Sequence, residues 1–262
     1  MERETMCIQA GYQPKNGESR MIPIVQSTTF KYDTSEDMGK LFDLEESGYF
    51  YTRLANPTNA YVAAKICALE GGSAAVLTSS GQAATFFSVF NIAGGGDHVV
   101  ASSTIYGGSF NLFAVTMKRM GVEFTFVDPD CSDEELEAAF RPNTKAVFGE
   151  TIANPALIVF DIERFANAAH AHGVPLIVDN TFATPINCRP IEWGADIVTH
   201  STTKYRMQPW VGRSWIQANS TGWHTQTSSQ DSPHLMSHIT EWYTQRSSAR
   251  AAHISTRSWH SL

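Results

Sequence analysis

With 262 residues, 42% of them apolar, the chain can bury the core of one large domain or two small ones. A formal net charge of -7 without any basic stripe argues against nucleic-acid or anionic-membrane partners. No apolar run reaches the ~20 residues that span a bilayer, no signal peptide precedes the first charged residues, and Cys7, Cys67, Cys131 and Cys188 show no CxxC spacing, so the expected compartment is the reducing cytosol.

Residues 1–58 are polar and turn-rich, with Pro23 and Pro57, and hold no sustained period. Such an arm is expected to pack poorly on its own chain and to be held by a partner subunit. From Asn59 to Lys204 helical and strand periods alternate, as in parallel α/β architectures. Asn59–Glu70 predicts a helix and Ala74–Ser80 a short strand. Gln82–Ile92 predicts a helix, His98–Ser102 a strand, Phe110–Met120 a helix, and Val122–Val127 a strand rich in β-branched and aromatic residues. Ser132–Phe140 predicts a helix that opens on a capping box, Ser132-Asp133-Glu134-Glu135. Lys145–Glu150 as strand, Ile162–Ala171 as helix, and Leu176–Asp179 and Asp196–Thr199 as strands complete the alternation. His170 and His172 flank Ala171, whereas a zinc pair on a helix stands four apart, so they read as solvated helix-end histidines and no metal site is expected.

Four features bear on chemistry. Ser79-Ser80-Gly81-Gln82-Ala83-Ala84 lies in a strand-to-helix turn, where bare amides and a glycine either bind phosphate or simply make a turn. Asp179 ends the apolar run Pro175–Val178, a costly place for a carboxylate unless it caps a helix, pairs with a cation or holds a ligand's proton. Tyr106, just after a strand, is either core or a ring that stacks on a ligand. Lys204 closes His200-Ser201-Thr202-Thr203-Lys204, and Ser201 and Thr203 are expected on one side of an extended segment. A lysine amine together with a buried anion is what pyridoxal phosphate asks of a protein: one to bind its aldehyde, the other to keep its ring nitrogen protonated.

The motifs continue in order: Tyr51-Thr52-Arg53-Leu54-Ala55-Asn56-Pro57-Thr58, Ala68-Leu69-Glu70-Gly71-Gly72, Ser80-Gly81-Gln82-Ala83, Tyr106-Gly107-Gly108, Gly149-Glu150-Thr151-Ile152-Ala153-Asn154-Pro155, Val178-Asp179-Asn180-Thr181-Phe182-Ala183-Thr184-Pro185 and Ser201-Thr202-Thr203-Lys204. On these the chain resembles the Cys/Met-metabolism family of fold-type I pyridoxal-phosphate enzymes, over residues 4 to 205, and within it the sulfhydrylase branch. The resemblance implies an α/β, three-layer aminotransferase-like large domain with a mixed, mostly parallel sheet over residues 59–205. It implies Lys204 as the Schiff-base lysine, Asp179 as partner of the ring nitrogen, Tyr106 as the stacking ring and Asn154 as a contact to the cofactor's phenolic oxygen. Gly81, Gln82, Ser201 and Thr203 would hold the phosphate. Tyr51 and Arg53 would reach the phosphate of a neighbouring subunit in a homodimer or homotetramer. The implied reaction is γ-replacement: O-acetylhomoserine plus sulfide or methanethiol gives homocysteine or methionine plus acetate. Cystathionine γ-synthase and methionine γ-lyase chemistry share these motifs, and a non-catalytic remnant that binds cofactor or a full-length subunit is the alternative of another class.

After Tyr205 the text changes. Five of the six Trp and five of the nine His fall in residues 206–262, which hold no Lys. Arg206-Met207-Gln208-Pro209-Trp210 fits nothing that follows the lysine in the family. The expectation is that residues 206–262 are the family's continuation read in a shifted frame. Read one nucleotide earlier, the single codons of Met and Trp force Ala from Met207-Gln208, Gly from Trp210-Val211 and Asp from Trp215-Ile216, as the family's continuation requires. On that reading the large domain is incomplete, the C-terminal domain is missing, and the tail is loosely packed with little activity in the chain.

Overall fold

The computed structural model describes residues 2–204, in two compact units that divide between Leu77 and Thr78. The tail at 206–262, with everything expected of it, lies outside the described residues. Among the described residues no helix is long and apolar enough to cross a membrane, and no group of three or more His, Cys, Asp or Glu could hold a metal ion.

The first unit contains helices α1 (Arg3–Gln9), α2 (Ser35–Phe42) and α3 (Pro57–Glu70). α3 starts where Asn56 caps the Thr58 amide and Pro57 presets the first helical φ, and it stops at Gly71, whose φ of +77° suits a residue without Cβ. The arm is tied to this helix. Thr58 Oγ1 donates to the Pro23 carbonyl (3.0 Å) and accepts from the Val25 amide (2.9 Å). Buried Lys65, 4% exposed, sends Nζ to the Cys7 and Ile8 carbonyls at 3.2 and 3.1 Å, a cation placed against the C-terminal turn of α1. α3 packs on α1, within the first unit. α1 and α2, seven and eight residues long, are too short to print a period on the sequence.

In the second unit five parallel strands, β1 (His98–Ser102), β2 (Glu123–Val127), β3 (Thr144–Glu150), β4 (Leu176–Asp179) and β5 (Ile197–Thr199), form one sheet in the order β2-β1-β3-β4-β5. All strand pairings of this sheet among the described residues are parallel, and the antiparallel contacts are two isolated bridges, Thr29 with Tyr51 and Ile152 with Val159. Alternating strand residues feed two cores. Val100, Val147, Leu176 and Val178 pack with Phe160 and with Phe165 of α7 (Ile162–Ala171). Val99, Ala101, Phe148 and Ile177 pack with Val89 of α4 (Gly81–Phe90), Phe113 and Met117. Burial on both faces makes the strands read as continuous apolar runs.

α5 (Gly107–Asn111) runs on into a π-helical stretch, Leu112–Met117, starting before the expected Phe110. α6 (Asp133–Ala138) has its capping box closed in both directions: the Glu135 amide donates to Ser132 Oγ, and the Ser132 amide to Glu135 Oε2. α8 (Thr184–Asn187) and a 3-10 turn, Pro190–Trp193, lead into β5. The strand expected at Ala74–Ser80 does not form. No described segment pairs with it, Val76 is 85% exposed, and without a ladder an apolar run has no means of remaining a strand. Gly149 in β3 lets the Phe160 ring lie on the sheet, since a Cβ there would stand 2.4 Å from Phe160 Cζ.

Candidate active site

In a parallel sheet every strand delivers its last residue to the same edge. Ser102, Glu150, Asp179 and Thr199 end β1, β3, β4 and β5 there. Strand order changes direction between β1 and β3, and open α/β sheets bind ligands outside such a point.

The Tyr106 amide crosses this point and donates to Glu150 Oε1 at 2.8 Å. The Tyr106 side chain is 49% exposed, with its ring over Gly108, where a Cβ would come within 2.4 Å of Cε1. At that exposure the ring is not core. Gln82 Nε2 donates to the Gly108 carbonyl at 3.0 Å and joins the start of α4 to the start of α5.

α4 begins with Ser80 capping the Ala83 amide at 3.0 Å. A Cβ on Gly81 would stand 2.6 Å from Ser201 Cβ and 2.9 Å from its Cα, so Gly81 and Ser201 are brought together by the fold although 120 residues separate them. Ser201 is held from its other side, its amide donating to Thr181 Oγ1 at 2.7 Å. Residues 202–204 turn back, with the Lys204 amide on the Ser201 carbonyl at 3.1 Å. The extended segment expected for Ser201–Thr203 is therefore a turn, because β5 loses its ladder after Thr199; Thr203 and Lys204 are exposed.

Asp179 is partly buried. Oδ1 accepts the Thr181 amide at 2.9 Å, and burial raises its pKa, opposed by the Thr181 hydroxyl and amide and by nearby His200. In register beside it stands Thr199, whose Oγ1 is buried without a hydrogen-bond partner. On the other side, also in register, is Glu150, 8% exposed. Burial pushes the Glu150 carboxyl up to about 8, with the charge of Asp179 adding to the rise and the amides of Tyr106 and Asn154 opposing it. Asn154 itself is exposed and joined to Pro155 by a cis bond.

Tyr51 and Arg53 lie in the first unit, with the Arg53 guanidinium 5.2 Å from the centre of the Tyr51 ring. Glu150 and Thr181 were passed over as site residues, although both stand in the quoted motifs. The signal for Glu150 was the one used for Asp179, a carboxylate ending an apolar strand. Thr181 carries no such signal, because its role depends on Ser201, which is distant in sequence.

The donor set suits pyridoxal phosphate. A side-chain-free position faces a serine at a helix N-terminus, a partly buried carboxylate ends a neighbouring strand beside an unpartnered hydroxyl, and an exposed aromatic ring stands at the same edge.

A family model described as Cys/Met metabolism PLP-dependent enzyme matches residues 4–208. The chain is 47% identical over 203 residues to the O-acetyl-L-homoserine sulfhydrylase of Corynebacterium glutamicum, an alignment covering 77% of this chain and 46% of that protein. With the L-methionine gamma-lyase of Porphyromonas gingivalis it shares 50% identity over 184 residues, 70% of this chain and 46% of that one. A Campylobacter jejuni crystal structure described as an O-acetylhomoserine (thiol)-lyase, with N'-pyridoxyl-lysine-5'-monophosphate, superposes with a TM-score of 0.74 at 34% identity, over 78% of this chain and 50% of that chain. The chain spans about half the length of the curated relatives it matches. Motifs, sheet and relatives agree: the chain belongs to the Cys/Met metabolism family of pyridoxal-phosphate-dependent enzymes, with the fold-type I architecture and pyridoxal 5'-phosphate as its cofactor.

Proposed function

We propose that this chain carries the cofactor-binding part of a γ-replacement enzyme that converts O-acetylhomoserine and sulfide or methanethiol to homocysteine or methionine plus acetate. The observation that carries this reading is the convergence at one sheet edge of Asp179, Tyr106 and the Gly81–Ser201 contact. Similarity to the C. glutamicum sulfhydrylase supports the reaction.

When bound, pyridoxal phosphate withdraws electrons from the substrate's α carbon. The chain's residues do the rest. Asp179 holds a proton on the ring nitrogen, and the amides opening α4, with Gly81, Gln82, Ser201 and Thr203, hold the phosphate. Tyr106 covers one ring face, and Asn154 meets the phenolic oxygen. Lys204 Nζ would hold the cofactor's aldehyde and, as a free amine, would move protons at the substrate's α and β carbons. Tyr51 and Arg53 serve the phosphate of a neighbouring copy, in a cytosolic homodimer or homotetramer. In this organisation residues 1–58 are the subunit-contacting arm and 59–205 the cofactor domain.

Reduction with borohydride in the presence of pyridoxal phosphate should label the peptide holding Lys204 and leave Lys204→Ala unlabelled; label elsewhere, or none, ends this reading. The likeness to L-methionine gamma-lyase favours a second reaction, elimination from methionine. Product analysis with O-acetylhomoserine plus sulfide, against methionine alone, separates the two.

A further inference from the structure

The carboxyl of Glu150 is the hub of the strand edge. It accepts the amide of Tyr106 at 2.8 Å from across the β1/β3 gap. Its register neighbour on β4 is Asp179. In-register residues on adjacent strands project to the same face from backbones about 4.8 Å apart. Two proposed cofactor contacts, from two separate chain segments, thus meet at one buried side chain that has no cofactor contact assigned.

We propose that Glu150 is a positioning residue, which fixes the Tyr106 ring over the cofactor by holding the Tyr106 backbone amide. The inference rests on the pyridoxal-phosphate site proposed above. An amide held on a buried carboxyl sets where its loop leaves the sheet, and an error of an ångström there moves a stacking ring off its partner. Asp179 is the titratable group facing Glu150, and His200 faces Asp179 in turn. α7, packed on β3, turns Ile162, Phe165, Ala166 and Ala169 inward, while its Arg164 is bound to Asp133 and its His170 to Asp196. Burial pushes the Glu150 carboxyl towards its uncharged form, as it does that of Asp179. Glutamine, which accepts the same hydrogen bond without a charge, should then replace it.

The test uses the full chain, with pyridoxal phosphate affinity and the induced circular dichroism of the bound cofactor as readouts. Glu150→Gln should keep both within about threefold of wild type, while Glu150→Met, similar in size but without the acceptor, should weaken affinity about tenfold and reduce the dichroism. Glu150→Ala replaces the Met variant should that one not fold, as judged by far-ultraviolet dichroism. In a Tyr106→Ala background the same loss should shrink to about twofold, since the residue acts through that ring. Additive losses in the double variant, or a Gln variant as weak as the Met one, overturn the inference while leaving the cofactor site standing. A wild-type chain that binds no pyridoxal phosphate and shows no Lys204 label overturns both.

Discussion

Gly81 meets Ser201 so closely that a single methyl group on the glycine would fall 2.6 Å from the serine Cβ. The contact joins the first turn of α4 to the segment after β5, and both sides supply proposed phosphate contacts. Gly81→Ala should therefore weaken pyridoxal phosphate binding by about tenfold or more, because one of the two segments must shift. Thermal stability should fall as well, since the methyl meets Ser201's Cβ and backbone Cα and the first helical position gains little of alanine's propensity advantage of about 1 kcal/mol. A cofactor titration beside a melting curve checks the prediction; unchanged affinity would refute it.

Thr181 links two of the proposed cofactor contacts, with its amide on Asp179 and its hydroxyl under the Ser201 amide. Valine at this position keeps the shape and removes the acceptor, leaving the Ser201 amide unpaired in a partly buried setting. We expect Thr181→Val to cost about 1–2 kcal/mol, read from the urea midpoint at constant slope, and to lower cofactor affinity as well.

Two buried groups give the cofactor-free chain a pH profile with opposed limbs. His98, fully buried with its ring nitrogens on Thr144 and Thr125, is pushed down to about 4, chiefly by burial. The native state refuses a proton that the unfolded chain accepts below about 6.5, so this group's stabilisation is lost as pH falls from there towards 4. Glu150, raised from 4.5 to about 8, has the reverse sign: its native form keeps a proton that the unfolded chain gives up, and its stabilisation is lost as pH rises through about 8. Asp179, also raised by burial, adds to that second limb. Between about 4.5 and 6.5 the slopes oppose, so urea midpoints should be flat there and then fall from about 6.5 to 8. Glu150→Gln should remove most of that fall; an equal slope in the variant would show that other groups are responsible.

The periodicity of residues 82–199 was enough to place strands and helices to within a few residues, and a capping box at Ser132 marked one helix start correctly. These are local effects, carried by side chains near in sequence, and the parallel α/β class follows from their alternation. The motifs likewise exposed Lys204, Asp179, Gly81 and Tyr106 as residues out of keeping with a plain core. Ala74–Ser80 failed because a strand is a property of two segments, and its ladder partner is not written in its own residues. Glu150 and Thr181 stayed hidden for the same reason. What they do is hold amides that come from 44 and 20 residues away. Composition and pattern thus determined the architecture and the kind of chemistry. Only the register of β3, β4 and β5, and the loops it brings to one edge, decided which side chains hold the others in place, because such contacts exist only once distant parts of the chain have been packed together.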